Sequence, residues 1–479
     1  MRLLDQLDEL KTQFTPAAAR RLNQLLERLA RKKINDTDTL FRYHELLLFL
    51  RAYAHNASIV RTVERELRSF ASRVTFLEQQ GIDLAPLQHP EWSGIAGTSV
   101  IDTFGFYIVR RLLEKHPSQL AIYWEWFEDE NRLAATWPRF MPLLEEDAYI
   151  EANVPYREWL AAARGRQPEL AWLIEQFDKL PKPDKERAEL YDSQQLYVQW
   201  TPSFNVSRTG MRLPRRKLFY HREPLISRRD IELRKELAQP APKLEKLSSR
   251  EGEHALDMAR DASTIRYREL YGFTHGDPKD VYRAELGRGV EIFLISLPPE
   301  KRLPLRSYHA AMIYKNGVPI GYFEGLSLFE RMESGFNLYY TFRDGETAWL
   351  YARILNVMHH FAGVTAFSLD PYQIGFENEE GIESGAFWFY RKLGFRPTQP
   401  EALQLALKEE EKIRTRKGYR TSPATLRRLA RSPMIFELDE SRKGDWDNFQ
   451  LRKIGFKAQR QALGRLDEMS RREIIDLGS

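Results

Sequence analysis

The chain has 479 residues, no cysteine and a formal net charge of +5. That length implies about two or three domains, and the lack of thiols excludes disulfides, thiolate catalysis and Cys-zinc sites and points to the cytoplasm. No apolar run reaches the roughly 18 residues of a membrane span, the opening MRLLDQLDELK lacks the apolar stretch of a signal peptide, and so small a charge does not by itself argue for nucleic acid.

Residues 1–180 read as helix after helix. Thr15-Pro16 looks like an N-cap followed by proline at the first helical position, and Leu22, Leu25, Leu26 and Leu29 recur at helical spacing behind it. TLFRYHELLLFLRAYAHN and SIVRTVERELRSFASRVTFLEQQG follow, the second stopped by Gly81. After a Pro- and Gly-rich loop, VIDTFGFYIVRRLLEK opens further short helices to about Lys179, in which Trp124, Trp126, Trp137, Trp159 and Trp172 suit packing between helices. Residues 181–250 turn basic and proline-rich. LYVQW (196–200) suggests irregular or edge structure, and the segment 208–235, with Arg215, Arg216 and Lys217 beside Phe219 and Tyr220, would hold phosphates or RNA, or pair with acidic helices of the chain itself.

From residue 251 the pattern becomes α/β. EGEHALDMARDASTIRYRELYG reads as a helix closed by Gly272, and VEIFLISL (290–297) as a strand. SYHAAMIY (307–314) and VPIGYFEGLSLF (318–329) flank Asn316-Gly317, a strong hairpin signal. GFNLYYTF (335–342) reads as a strand, ETAWLYARILNVMHHFAG as a helix ended by Gly363, and VTAFSLD (364–370) as a strand stopped by Pro371. The dense apolar helix SGAFWFYRKLGF is next, then a helix over 401–417, one capped by Ser422-Pro423, and a last strand PMIFEL (433–438). A closing helical segment is expected over roughly 450–475.

Three motifs in this order resemble the GNAT superfamily of acyl-CoA-dependent N-acyltransferases, over about residues 250–440: the hairpin NGVPIGY (316–322), the strand-to-helix junction RDGETA (343–348), and AFWFYRKLGF (386–395). The expected fold is therefore α+β and multidomain. An all-α domain (1–180) and a basic connecting segment (181–250) precede a GNAT-like mixed sheet flanked by helices (251–440) and a C-terminal helical extension (441–479).

A strand running into a helix leaves unpaired N–H groups at the positive end of the dipole, where a phosphate sits well. The resemblance makes Arg343, Asp344, Gly345, Glu346, Thr347 and Ala348 the loop that holds the pyrophosphate of acetyl-CoA or another acyl-CoA. Glu346 stands where the family has glycine, and it reads equally as a carboxylate capping the helix. By the same resemblance the backbone of Leu338, Tyr339, Tyr340 and Thr341 pairs with the pantetheine arm. Tyr390 then protonates the departing thiolate; alternatively it is a core tyrosine. Glu383 stands where the family has asparagine, and Asn378 is the substitute if its acidic loop folds back. Glu324, Glu330 and Glu333 are candidate bases for the incoming amine, with Glu333 preferred. No metal-ligand spacing is found, His359-His360 included. The expected partners are a small-molecule or peptide amine and, through the helical domain, a protein. The competing readings are a non-catalytic protein of the same fold and an RNA- or aminoacyl-tRNA-using transferase.

Overall fold

A computed structural model of the chain describes residues 2–215, 217–455, 457 and 471–478. The chain forms two compact units. Met1–Lys11, Pro16–Pro214 and Asp257–Thr274 make the first, and Thr12–Thr15, Arg215–Leu256 and His275–Ser479 make the second.

The first unit is mainly helical. Its long helices are Pro16–Ala30, Thr37–Ala52, Ala57–Arg68 and Phe70–Gln79. Leu22, Leu25, Leu26 and Leu29 are all buried, as their spacing requires. Asp36 and Asn56 cap the second and third of these helices, accepting from the N–H groups of Thr39 (2.8 Å) and Ile59 (2.9 Å). Trp137 is fully buried and packs edge-on or tilted against the half-buried Trp124 and Trp159, with Trp172 beyond Trp159, whereas Trp126 is 42 % exposed, so the expected packing holds for four of the five. Arg111, on helix Phe106–Lys115, reaches Asp261 at 2.7 Å and Asp257 at 3.2 Å.

The unit is not all-α. Strands β1 (Val100–Asp102), β2 (Leu120–Ile122) and β3 (Val198–Trp200) form an antiparallel sheet with β3 in the middle. VIDTFGF therefore starts as a strand, and LYVQW supplies a central strand and not an edge. Trp200 opposes both Val100 and Leu120 and is fully buried, which explains the strand-like composition there.

The second unit is built on a nine-stranded sheet in the order β11-β12-β10-β9-β8-β7-β6-β5-β4. The strands are β4 (Leu244–Lys246), β5 (Val281–Gly287), β6 (Val290–Ile295), β7 (Ser307–Lys315), β8 (Val318–Leu328), β9 (Arg331–Leu338), β10 (Ala366–Leu369), β11 (Arg396–Pro397) and β12 (Met434–Glu437). Neighbours are antiparallel except β9 and β10, which run parallel. Asn316 and Gly317 both adopt positive φ (50° and 81°), the type I′ geometry that matches strand twist. Asn316 also holds the connecting segment, accepting from the N–H of Phe219 (2.8 Å) and donating to its carbonyl (2.9 Å).

Several elements differ from expectation. Strands β4, β5 and β11 have only weak alternation and were not anticipated. The helix expected to close at Gly272 ends at Thr264, and Gly272 sits in the separate short helix Tyr271–Thr274. The strand expected over 335–342 spans Arg331–Leu338, because Tyr340–Phe342 turns into a 3-10 helix. The apolar helix around Tyr390 is short, Ala386–Arg391, and Gly394 (φ 104°) turns the chain out of it against the Phe436 ring. Trp446, Phe449, Leu451 and Ile454 pack on Leu328, Ala366 and Ile435, so the C-terminal segment covers part of the sheet. The buried Arg331 guanidinium donates to the carbonyls of Trp446 (3.1 Å) and Phe449 (2.8 Å). Most of the closing helix expected over 450–475 lies outside the described residues, as does Arg216.

Candidate functional site

The parallel pair β9–β10 is matched only from Arg331–Ala366 to Glu333–Ser368. β10 then ends, because Asp370 accepts from the N–H of Tyr372 (2.9 Å) and starts the 3-10 turn Pro371–Ile374. β9 continues to Leu338, and no strand pairs with it on that side among the described residues. Tyr339 donates its N–H to Ile320 across the β8 side (2.9 Å), so by alternation the polar groups of Phe336 and Leu338 face the open side. Two carbonyls there are taken by side chains: Gln373 Nε2 donates to Phe336 (3.0 Å) and Arg343 Nε to Leu338 (3.2 Å). The N–H groups of Phe336 and Leu338 find no acceptor among the described residues. The free edge thus lies over residues 336–338, not 338–341: Tyr339 is bonded to β8, Tyr340 is 73 % exposed, and Thr341 lies in the 3-10 turn.

The junction continues from this edge into the helix Thr347–Ala362. Gly345 donates its N–H to Phe342 (3.0 Å), Asp344 is exposed, and the Thr347 hydroxyl donates to the carbonyl of Arg343 (3.0 Å). Arg343 pairs with Glu380 and lies over the Tyr340 ring. Ala348 is buried. Glu346 is 2 % exposed and makes no cap on the helix. Its carboxylate pairs with Arg288 (2.6 Å) and Lys315 (3.5 Å) and accepts the N–H of Ile226 (3.1 Å). The helix-capping reading of Glu346 therefore fails, and its carboxylate is turned instead toward the half-buried Arg288 and the buried Lys315. The N–H groups of Glu346, Thr347, Ala348 and Trp349 find no acceptor among the described residues. Burial pulls the Lys315 ammonium down to about 7, against the opposing pull of Glu346.

Tyr390 is buried, with its ring edge-on to Tyr351 (5.5 Å) and Phe395 (5.8 Å). Burial pushes its phenol above the ordinary tyrosine range; the hydrogen bond from Gln373 opposes that shift. Gln373 Nε2 lies 3.3 Å from the phenol oxygen, and the same nitrogen serves the Phe336 carbonyl. The phenol is thus one amide away from the free edge of β9. Beside it the Tyr351 hydroxyl meets Ser334 Oγ at 2.8 Å.

Glu333 lies on the other face of β9, since adjacent strand residues alternate. Arg452 holds it at 2.7 Å and stands 3.7 Å from Asp370. Glu324 accepts from the Tyr308 hydroxyl, and Glu330 pairs with Arg442. Asn378 is committed to its own loop, accepting from the N–H of Gly381 (3.2 Å) and donating to the Tyr372 carbonyl (3.0 Å). The acidic loop is partly neutralised, Glu379 by Arg427 (2.7 Å) and Glu380 by Arg343. In the basic segment Arg208 pairs with Glu45, Arg212 with Glu64 and Arg215 with Glu291, each at 2.6 Å. His359 and His360 are occupied by the carbonyls of Val364 and Gln239, and no metal-holding group occurs among the described residues.

Gln373, Lys315 and Arg452 escaped the reading of the sequence. No local pattern marks them, because each acts on residues far away in the chain. Compared with family models, curated proteins and solved structures, the chain has no significant match in any of the three.

Proposed function

We propose that the second unit transfers an acyl group from acetyl-CoA or another acyl-CoA to an amine, on a sheet of GNAT type. One observation carries the reading: a parallel strand pair that parts beyond Glu333–Ser368, with a helix start free of its own capping carboxylate following one strand and the buried Tyr390 phenol one amide, that of Gln373, away from the open edge. The strand order supports it, with four antiparallel strands β6–β9, the parallel β10, and β12 between β10 and β11.

In this reading the diphosphate takes the N–H groups of Glu346 to Trp349, where the dipole favours negative charge. The pantetheine arm lies along Phe336–Leu338 and uses their free N–H groups. The amine attacks the thioester carbonyl; the new C–N bond forms, the C–S bond breaks, the amine proton passes to a base, and Tyr390 protonates the leaving thiolate. Gln373 occupies the edge and must turn aside for the arm to reach the phenol. Glu333 serves as base only once Arg452 releases it. The inward-facing Glu346 adds no uncompensated negative charge to the diphosphate site, because the Arg288 guanidinium balances it.

A thermal-shift titration tests the reading. At a hundred times its Kd, CoA stabilises the unit that binds it by about 2.7 kcal/mol, a melting shift of several degrees. No shift with any of acetyl-, propionyl- or long-chain acyl-CoA sinks it and favours a non-catalytic protein of the same fold, for which the occupancy of the edge by Gln373 already speaks.

A further inference from the structure

A stretch of the connecting segment accompanies the helix Thr347–Ala362 along its length. Ile226 donates to Glu346 at the helix start (3.1 Å), Asn356 donates to the carbonyls of Glu236, Leu237 and Gln239, and His360 Nε2 lies 3.2 Å from the Gln239 carbonyl. Within that stretch the 3-10 turn Arg228–Asp230 packs on the same helix. An Arg228 guanidinium nitrogen lies 3.5 Å from the carbonyl oxygen of Lys392, just past the helix that carries Tyr390. Arg228, Arg229 and Lys392 therefore gather near the first turns of the 347–362 helix.

Their lack of counter-charge is the telling point. Arg208, Arg212, Arg215 and Arg234 of the same segment each find a carboxylate. Arg228, Arg229 and Lys392 make no ion pair among the described residues. The carboxylate of the turn itself, Asp230, is turned back on the N–H of Ser227 (2.9 Å). Partial burial and then Arg228 and Arg229 push the Lys392 ammonium below the ordinary lysine range, as expected where like charges meet unbalanced. Such a cluster costs stability unless an anion joins it.

We propose that Arg228, Arg229 and Lys392 form a subsite for a phosphomonoester, the 3′-phosphate of the CoA donor. This rests on the acyltransferase reading above. The connecting segment then belongs to the donor site, although it lies outside the region that resembles a transferase. A phosphomonoester fits better than a diester because it carries nearly two charges and three terminal oxygens at neutral pH, to meet three cations.

Calorimetric titration of the full chain with CoA and with dephospho-CoA, which lacks only that phosphate, is the test. The wild type is expected to bind CoA at least about tenfold more tightly than dephospho-CoA, the scale of one or more charge-assisted hydrogen bonds. Added salt narrows that ratio. Arg228→Ala/Arg229→Ala brings the two affinities together at the dephospho-CoA value, and Arg228→Lys/Arg229→Lys restores part of the ratio. Equal wild-type affinities for the two ligands overturn the subsite and leave the acyltransferase reading standing. Binding of neither ligand overturns both. An unchanged ratio in the alanine variant, with loss of binding to an RNA oligonucleotide, assigns the cations to nucleic acid and overturns the proposal as well.

Discussion

The amide of Gln373 joins the Phe336 carbonyl to the Tyr390 phenol, which makes the structural and chemical parts of the tyrosine separable by substitution. Tyr390→Phe removes only an acceptor at 3.3 Å, so the expected loss of stability is no more than about 1 kcal/mol. On the acyltransferase reading, the same change removes the general acid and is expected to lower transfer by roughly 10²–10⁴-fold. Steady-state thiol release alongside CoA titration checks this, with affinity for CoA unchanged. A second residue-level expectation concerns Lys315, whose ammonium is pulled down to about 7 in the folded chain, against an ordinary value near 10.4 when unfolded. Between those values the unfolded chain keeps a proton that the folded one has lost. Stability therefore rises with pH across that window and is lower at its acid end, with a slope approaching 1.4 kcal/mol per pH unit at about its middle. Urea denaturation of wild type and Lys315→Met between about pH 7.5 and 9.5 should show that the variant lacks this contribution.

At the scale of elements, the hairpin β7–β8 shows what one turn residue does. Asn316 sits at φ 50° and clamps both backbone groups of Phe219. Asn316→Ala loses two hydrogen bonds and strains the turn, at a cost of about 2–3 kcal/mol. Asn316→Gly keeps the conformation and should cost less, an ordering that urea denaturation can establish. This hairpin, the stop at Gly363 and the cap at Ser422 were legible in the sequence because each signal is local: a dipeptide, a glycine, a hydroxyl three residues before the amide it caps. The β1–β3 sheet was not, since its strands span three residues each and are held by partners distant in the chain. The site divides the same way. The junction at 343–348 and the helix of Tyr390 stand out in the sequence through motifs that resemble those of the GNAT superfamily. The direction of the Glu346 carboxylate could not, because Arg288 and Lys315 decide it.

The whole molecule is two compact units, each assembled from separated pieces of chain. Arg111 of the first unit has its two carboxylates on Asp257 and Asp261, in the piece that returns after residue 256. A fragment of residues 1–214 loses both partners of that guanidinium together with the buried Ala259, Ala262 and Ile265 of the same piece. Near-UV circular dichroism is expected to show loss of fixed aromatic packing in the fragment and its retention in the full chain. At the other end of the chain, Trp446 is 2 % exposed within the cluster on Leu328, Ala366 and Ile435. Trp446→Ala should cost about 3–5 kcal/mol, read from the urea midpoint.

The interleaving of the pieces has a consequence for biosynthesis. Pro214 leaves the ribosome about sixty residues before Thr274, an interval on the order of 3–12 seconds at ordinary rates of elongation. Throughout it the nascent first unit has most of its mass but not its final piece, while the residues arriving next are destined for the other unit. Holdase chaperones have their opening in that interval, and slow codons across 215–256 would lengthen it.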